Sequence, residues 1–261
     1  MGVQVPLWAP QTHTGYMPRY KFTIEYDGSA YHGWQYQDNV PTIQGEIESA
    51  IFNITQLNVR LQVSGRTDAG VHALGQVAHT DIEKDIDPFR FTYGLNHFLA
   101  KKSISILQTE VVDPAFHARF STQARAYSYK IINRRSPLAL DFNRAYHVPQ
   151  PLDVNLMNEA ASYLLGHHDF TTFRATECQA QSPFKTLDQA VFVKEGDLIT
   201  FTTQSKSFLH HQVRNMVGTL CLVGLGKWHP IDVKTALMVK DRWAGGPTAP
   251  PEGLYLQKII Y

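Results

Sequence analysis

The sequence predicts an α+β fold, with helices and strands mixed on a mostly antiparallel sheet. Three observations carry this. Several segments alternate apolar and polar residues with period two, and others repeat apolar residues at helical spacing. The two kinds do not follow the strict β-α-β alternation of a parallel sheet. The second half of the chain also resembles the first in element order. With 261 residues, 43% hydrophobic and 18% charged, the chain can bury a sizeable core in one large domain or two small ones.

The elements follow in order. RYKFTIEYDG alternates Tyr20, Phe22, Ile24 and Tyr26 with polar partners and stops at Asp-Gly, a half-buried strand and a turn. TIQGEIESAIFNIT places Ile43, Ile47, Ala50, Ile51 and Ile54 on one helical face, with Thr42 as N-cap. VRLQVSG reads as a strand. GVHALGQVAHTDI reads as another, with Val71, Ala73, Gly75 and Val77 on one side; Gly70 and Gly75 mark a bend or a close backbone approach. DPFRFTYGLNHFL starts a helix at Asp87-Pro88. ISILQTEVV and RAYSYKIIN are strands.

In the second half, VNLMNEAASYLLG reads as a helix ending at Gly166. TLDQAVFVKEGDLITFTTQSKSF reads as two strands around Glu195-Gly196-Asp197. LHHQVRNMVGTLCLV is helical: Leu209, Val213, Met216, Val217, Leu220 and Cys221 form its apolar stripe, and His211, Arg214 and Gly218 share another face. DVKTALMVK is a short helix, AGGPTAPPEG an irregular loop and GLYLQKIIY a closing strand. There is no short-period repeat. Residues 1–16 lack periodicity and are expected to be a disordered extension or a start placed too early, since Met17 directly precedes PRYKFTIEY. The expected halves are 17–134 and 135–261, joined near residues 134–153.

Several function classes recede on composition. The longest apolar runs are too short and Gly-broken to span a bilayer, and no charged n-region with an apolar h-region opens the chain. The two cysteines, Cys178 and Cys221, lie in no CxxC, which disfavours a disulfide framework or a zinc ribbon and fits a reduced cytoplasmic setting. Net charge is only +1, but RNA responds to local fields. Between Pro114 and Arg144, Arg119, Arg125, Lys130, Arg134, Arg135 and Arg144 face Asp141 alone, interleaved with Phe116, Phe120, Tyr127, Tyr129 and Phe142. Such a stretch reads either as a phosphate- and base-binding surface or as a strand edge with core aromatics.

The stretch SGRTDAGVHALGQVAH, residues 64–79, holds one acid, Asp68. Paired general acid/base work needs two carboxylates, and the nearest others in sequence are Asp81 and Glu83. A metal site needs several ligands; His72, His79, His167-His168 and His210-His211 are available, but no known ligand spacing links them. No GxSxG elbow marks a serine nucleophile. What remains is a single nucleophilic or general-base aspartate, kept ionised by a cation such as Arg66 or Arg214, or an aspartate that only caps the turn in RTDAG.

SGRTDAGVHALGQVAH resembles the signature stretch of the TruA family of tRNA pseudouridine synthases. Four further stretches resemble that family in order: FTIEYDGSAYHGWQ, DPAFHARFSTQARAYSYKI, FLHHQVRNMVGTL and PPEGLYL. Together they span nearly all of residues 19–261. The resemblance implies the pseudouridine synthase fold: two ferredoxin- or RRM-like α/β halves in one continuous, mostly antiparallel sheet with helices on its outer face. It implies isomerisation of uridine to pseudouridine in the anticodon stem-loop, at tRNA uridines 38, 39 and 40. It implies no cofactor and no metal, and a homodimer in which one tRNA contacts both subunits. Asp68 is similar in position to the family nucleophile, Tyr127 to the aromatic that stacks on the target uracil, and Arg214 to the basic residue paired with the aspartate. Arg66 corresponds to an arginine near the flipped nucleotide, and Leu254 to a lining residue of the uracil pocket. A non-catalytic RNA-binding protein on the same scaffold, or the same chemistry on another RNA, stays open at this point.

Overall fold

The alternating segments assemble into one ten-stranded sheet in the computed structural model, which describes residues 17–261; the extension expected at residues 1–16 lies outside the described residues. The strands are β1 (Arg19–Tyr26), β2 (Gln62–Val63), β3 (His72–Asp81), β4 (Ile104–Val112), β5 (Ala124–Ile132), β6 (Tyr146–His147), β7 (Gly166–Asp169), β8 (Phe184–Glu195), β9 (Leu198–Ser205) and β10 (Leu254–Ile260). The helices are α1 (Ile43–Thr55), α2 (Pro88–Leu99), α3 (Val154–Ser162), α4 (Gln212–Gly224) and α5 (Pro230–Val239). Strand order is β4-β1-β3-β10-β5-β9-β8-β7, with β2 on β3 and β6 on β5. Pairing is antiparallel except for β10 on β3 and β6 on β5. The α+β class and the continuous, mostly antiparallel sheet are as expected. The last strand of the chain fills the gap between β3 and β5 and so joins the two flanks.

Directly paired residues share a face, so the register shows where the core runs. Tyr26 pairs with Ala73, Ala73 with Leu256, Leu256 with Tyr127, Tyr127 with Thr203, and Thr203 with Ala190. All six are buried. One buried face therefore runs across the sheet from β1 to β8. Phe91 of α2 meets Tyr20 and Phe22 of β1 edge-on at 5.3 and 5.7 Å. Asn158 of α3 holds both the N–H and the C=O of Phe192 on β8.

Local capping agrees with the sequence. Thr42 accepts from Gly45 N, Asp87 from Arg90 N, and Asp153 from Asn155 N and Leu156 N. Four expectations need correction. The helix expected to reach Gly166 stops at Ser162; a tightened turn follows, with Leu164 N donating to Ala161 O, and Gly166 opens edge strand β7. The polar GHHD of β7 has no apolar alternation to announce it. VRLQVSG pairs only at Gln62–Val63. The face Val71, Ala73, Gly75, Val77 does not persist along β3. Three residues of β3 span the interval that two of β1 cover between the Ile24–Gln76 and Tyr26–Ala73 pairs. This bulge flips the alternation, so Ala73 and Ala78 both join the core. Finally, α4 starts at Gln212, three residues later than a helix continuous from Leu209, because His211 is left-handed with φ 59°.

Among the described residues no helix is long and apolar enough to cross a membrane, and Cys178 and Cys221 are free and buried. Gly218 of α4 lets the loop after α5 lie on the helix: a Cβ there would overlap the Pro247 carbonyl oxygen, and Ala249 N donates to Arg214 O at 3.0 Å in the same loop. Gly218→Ala is therefore expected to destabilise the fold by about 1–3 kcal/mol through overpacking. It should also lower activity, because the displaced loop carries the carbonyl that anchors Arg214. Thermal denaturation and turnover of the variant check both effects; an unchanged melting temperature would refute the packing account.

Candidate active site

Asp68 sits in the loop between β2 and β3, and the backbone around it is tied on several sides. Tyr26 on β1 shares a hydrogen bond of 2.7 Å with the Thr67 hydroxyl, and Trp34 N donates to Thr67 O at 3.0 Å. Gln76 donates to Gly65 O at 2.8 Å, and Arg125 donates to Ser64 O at 2.5 Å. Gly33, at φ 89°, lies against this turn, where a Cβ would stand 2.7 Å from Thr67 O. The turn itself closes through its backbone, with Val71 N donating to Asp68 O at 3.2 Å. The Asp68 side chain is thereby released from capping and faces the start of α4.

Its carboxylate meets three basic groups from the start of α4. Arg214 Nη1 lies 3.2 Å from Oδ2, His211 Nε2 3.2 Å from Oδ2, and His210 Nε2 3.2 Å from Oδ1. The helix N-terminus adds a favourable dipole. Arg214 is itself anchored by Nε donation to Ala249 O at 2.8 Å. Burial pushes the Asp68 carboxyl up, but the hydrogen bond and charge of His211, with the charges of His210 and Arg214, outweigh it and hold the group below its ordinary value. The carboxylate is therefore ionised at neutral pH, as a nucleophile or base requires.

The carboxylate opens onto a cavity of about 910 Å³, lined among others by Arg66, Arg119, Arg125, Tyr127, Phe208 and Leu254. That volume suits a nucleoside-sized ligand. Tyr127, on β5, presents a buried ring, edge-on to Phe208 at 5.2 Å. Burial pushes its phenol up to about 12, with Arg125 opposing and Asp68 adding to the rise. Its hydroxyl makes no hydrogen bond to any described residue, which leaves it free for a ligand. Arg66 is exposed at the same cavity and makes no ion pair among the described residues. Asp68, Tyr127, Arg214, Arg66 and Leu254 thus meet around one space, although Asp68 and Arg214 are 146 residues apart.

The basic-aromatic stretch divides. Arg125 is a tether, donating to Ser64 O and Lys206 O; Lys130 lies over Tyr255 at 4.2 Å; Arg134 and Arg144 pair with Asp197 and Asp27. Tyr127 and Tyr129 belong to the sheet core. Arg119, Arg135, Phe120 and Phe142 are its exposed members without an ion pair among the described residues. Sequence reasoning missed His210 and His211 as Asp68 partners. Adjacent helical residues point about 100° apart, so HHQVR read as a helix offers only one of the two. The left-handed His211 brings both imidazoles inward, ring centres 4.0 Å apart.

Comparison with known proteins shows the family of the chain. The family described as tRNA pseudouridine synthase matches residues 23–121 and 160–261. The chain is 53% identical over 245 residues to tRNA pseudouridine synthase A of Afipia carboxidovorans, covering 94% of this chain and 100% of that one. It is 54% identical over the same length, with the same coverage, to tRNA pseudouridine synthase A of Bradyrhizobium diazoefficiens. Against that of Sinorhizobium fredii it is 51% identical over 247 residues, again covering 94% and 100%.

Proposed function

Because the chain belongs to the tRNA pseudouridine synthase family, we propose that Asp68 is the group with which it isomerises uridine in tRNA to pseudouridine. The reaction breaks the bond from ribose C1′ to uracil N1 and forms the bond from C1′ to C5. C5 loses a proton and N1 gains one. No oxidation state changes overall, so the reaction needs no redox cofactor; that it uses no metal is what the family resemblance implies. The labilising group is one ionised carboxylate. It attacks C1′, adds to uracil C6, or abstracts a sugar proton to give a glycal, and each route needs the same charged Asp68.

The other residues follow from what that carboxylate needs. Arg214, His211 and His210 hold both its oxygens and keep it charged in a partly dry site. The Tyr127 ring closes the pocket on the face of the uracil and retains the freed base, while Leu254 packs its edge. The uridine must leave its stack first, at a cost of a few kcal/mol that is lower in a loop than in a helix. Arg66, at the cavity mouth, fills the vacated space or holds a flanking phosphate. The rest of the RNA is gripped through phosphates and shape. On the same reading the targets are uridines 38, 39 and 40 of the anticodon arm, and the enzyme works in the cytoplasm as a homodimer, one tRNA contacting both subunits. The observation that carries the proposal is Asp68 held by three basic groups beside an aromatic-walled cavity of nucleoside size.

The test is tritium release. The purified protein is incubated with an unmodified tRNA transcript carrying C5-tritiated uridine. Release is expected, and none with Asp68→Ala. No release from several tRNAs bearing uridine in the anticodon arm would favour a non-catalytic RNA-binding protein or another RNA substrate. Tyr127→Phe keeps the stacking ring and removes the unpartnered hydroxyl. It is expected to bind tRNA within about tenfold of the wild type and to lose turnover by about ten- to a hundredfold, the scale of one proton-transfer or hydrogen-bonding group. Single-turnover rates decide the point; an unchanged rate would confine Tyr127 to stacking.

A further inference from the structure

We propose that Asp68, His210 and His211 form a binding site for one divalent transition-metal ion of the zinc and cobalt class, and that its occupation silences the isomerase. The silencing rests on the reading of Asp68 as the reacting carboxylate; the binding does not.

The geometry is that of a ligand set. Zinc takes imidazole nitrogen and carboxylate oxygen at about 2.0–2.1 Å, so two tetrahedral ligands stand about 3.3 Å apart. His210 Nε2 is 3.2 Å from Asp68 Oδ1, and His211 Nε2 is 3.2 Å from Oδ2. The three ligand atoms lie within 4.8 Å of one another. Two imidazoles and one carboxylate select zinc, cobalt or nickel over magnesium and calcium, which prefer oxygen. The set is preorganised. Asp68 sits in a turn tied to β1 and β3, and the left-handed backbone of His211 fixes both imidazoles toward it. It is also reachable, since the His210 side chain is 40% exposed on the cavity wall.

Charge works in both directions. Arg214 shares Oδ2 with His211 and opposes a cation, while Glu177, on the same wall and within electrostatic reach of both histidines, favours one. Arg214 stays anchored on Ala249 O, and Oδ1 remains for the metal on the His210 side. An ion seated there takes the lone pairs with which Asp68 acts on the nucleotide, and it blocks the approach of the ribose. Chemistry that needs no metal would then be stopped by one.

The test separates binding from activity. The chelator-treated protein is titrated with Co²⁺ and followed by visible absorption, and with Zn²⁺ by calorimetry. One ion per chain is expected, with the intense bands of tetrahedral or five-coordinate cobalt. His210→Asn and His211→Asn are the variants; Asn tolerates the left-handed backbone at position 211. Each is expected to weaken binding at least about tenfold, and the double variant at least about a hundredfold. Zn²⁺ should suppress wild-type tritium release, reversibly with chelator, and leave the double variant at its own zinc-free rate. Absence of one-to-one cobalt binding, or binding indifferent to both variants, would show that the histidines are hydrogen-bond donors only and overturn the site. Variant-sensitive binding without loss of tritium release would overturn the silencing. A wild type that releases no tritium even when metal-free fails the functional reading and leaves the cobalt result standing.

Discussion

Asp68→Ala is expected to lower tritium release by at least about four orders of magnitude, the scale on which removing a nucleophile silences an enzyme. Binding of tRNA should stay within about tenfold of the wild type, because phosphate contacts dominate affinity. The two readouts together make the prediction specific. Alanine also strands Arg214, His210 and His211 without their shared carboxylate, and an unpaired partly buried cation destabilises. Asp68→Asn is the companion variant: it keeps the shape and hydrogen-bonding oxygen but not the charge, and it should be as inactive while melting closer to the wild type. Turnover above a hundredth of the wild-type rate in either variant would remove Asp68 from the chemistry.

Arg214→Met should have the next largest effect, lowering single-turnover rate by about 10²–10³-fold, the usual loss for one preorganised charged donor. It should also move the acid limb of the pH–rate profile. The sign follows from the site. The Asp68 carboxyl is held below its ordinary value by His211, His210 and Arg214 against the upward push of burial. Activity needs the ionised form, so in the wild type it is lost only as pH falls through that lowered value. Without the guanidinium, burial gains weight, the value rises and the limb shifts to higher pH. Stability carries the same sign: the depressed carboxyl stabilises the fold above its unfolded value and ceases to do so as pH falls through the folded one. Arg214→Lys keeps the charge but loses the Nε donation to Ala249 O, and should recover the limb more than the rate. A slow Arg214→Met enzyme whose acid limb has not moved would mean that Arg214 only holds the 245–250 loop.

What the sequence determined by itself is what repeats locally. Side-chain direction follows from the backbone residue by residue, so period two at Tyr20, Phe22, Ile24 and Tyr26 and helical spacing at Ile43, Ile47 and Ile51 identify β1 and α1 with their buried faces. Asp68 stood out because it is a lone acid in a Gly-punctuated turn, and five stretches resembling one family attached a chemistry to it. The tertiary structure alone decided which distant segments meet. β10 ends the chain yet lies between β3 and β5, a placement decided by which edges remained unpaired. The β3 bulge turned Ala78 instead of Val77 into the main core cluster, with Val77 buried on the opposite face, because register belongs to the pair of strands and not to either one. His210 and His211 reached Asp68 together only because one residue left the helical backbone, and no periodicity encodes that departure. Arg125, read by composition as a possible phosphate contact, ties Ser64 O to Lys206 O, since a cation beside unpaired carbonyls satisfies them before it meets any RNA.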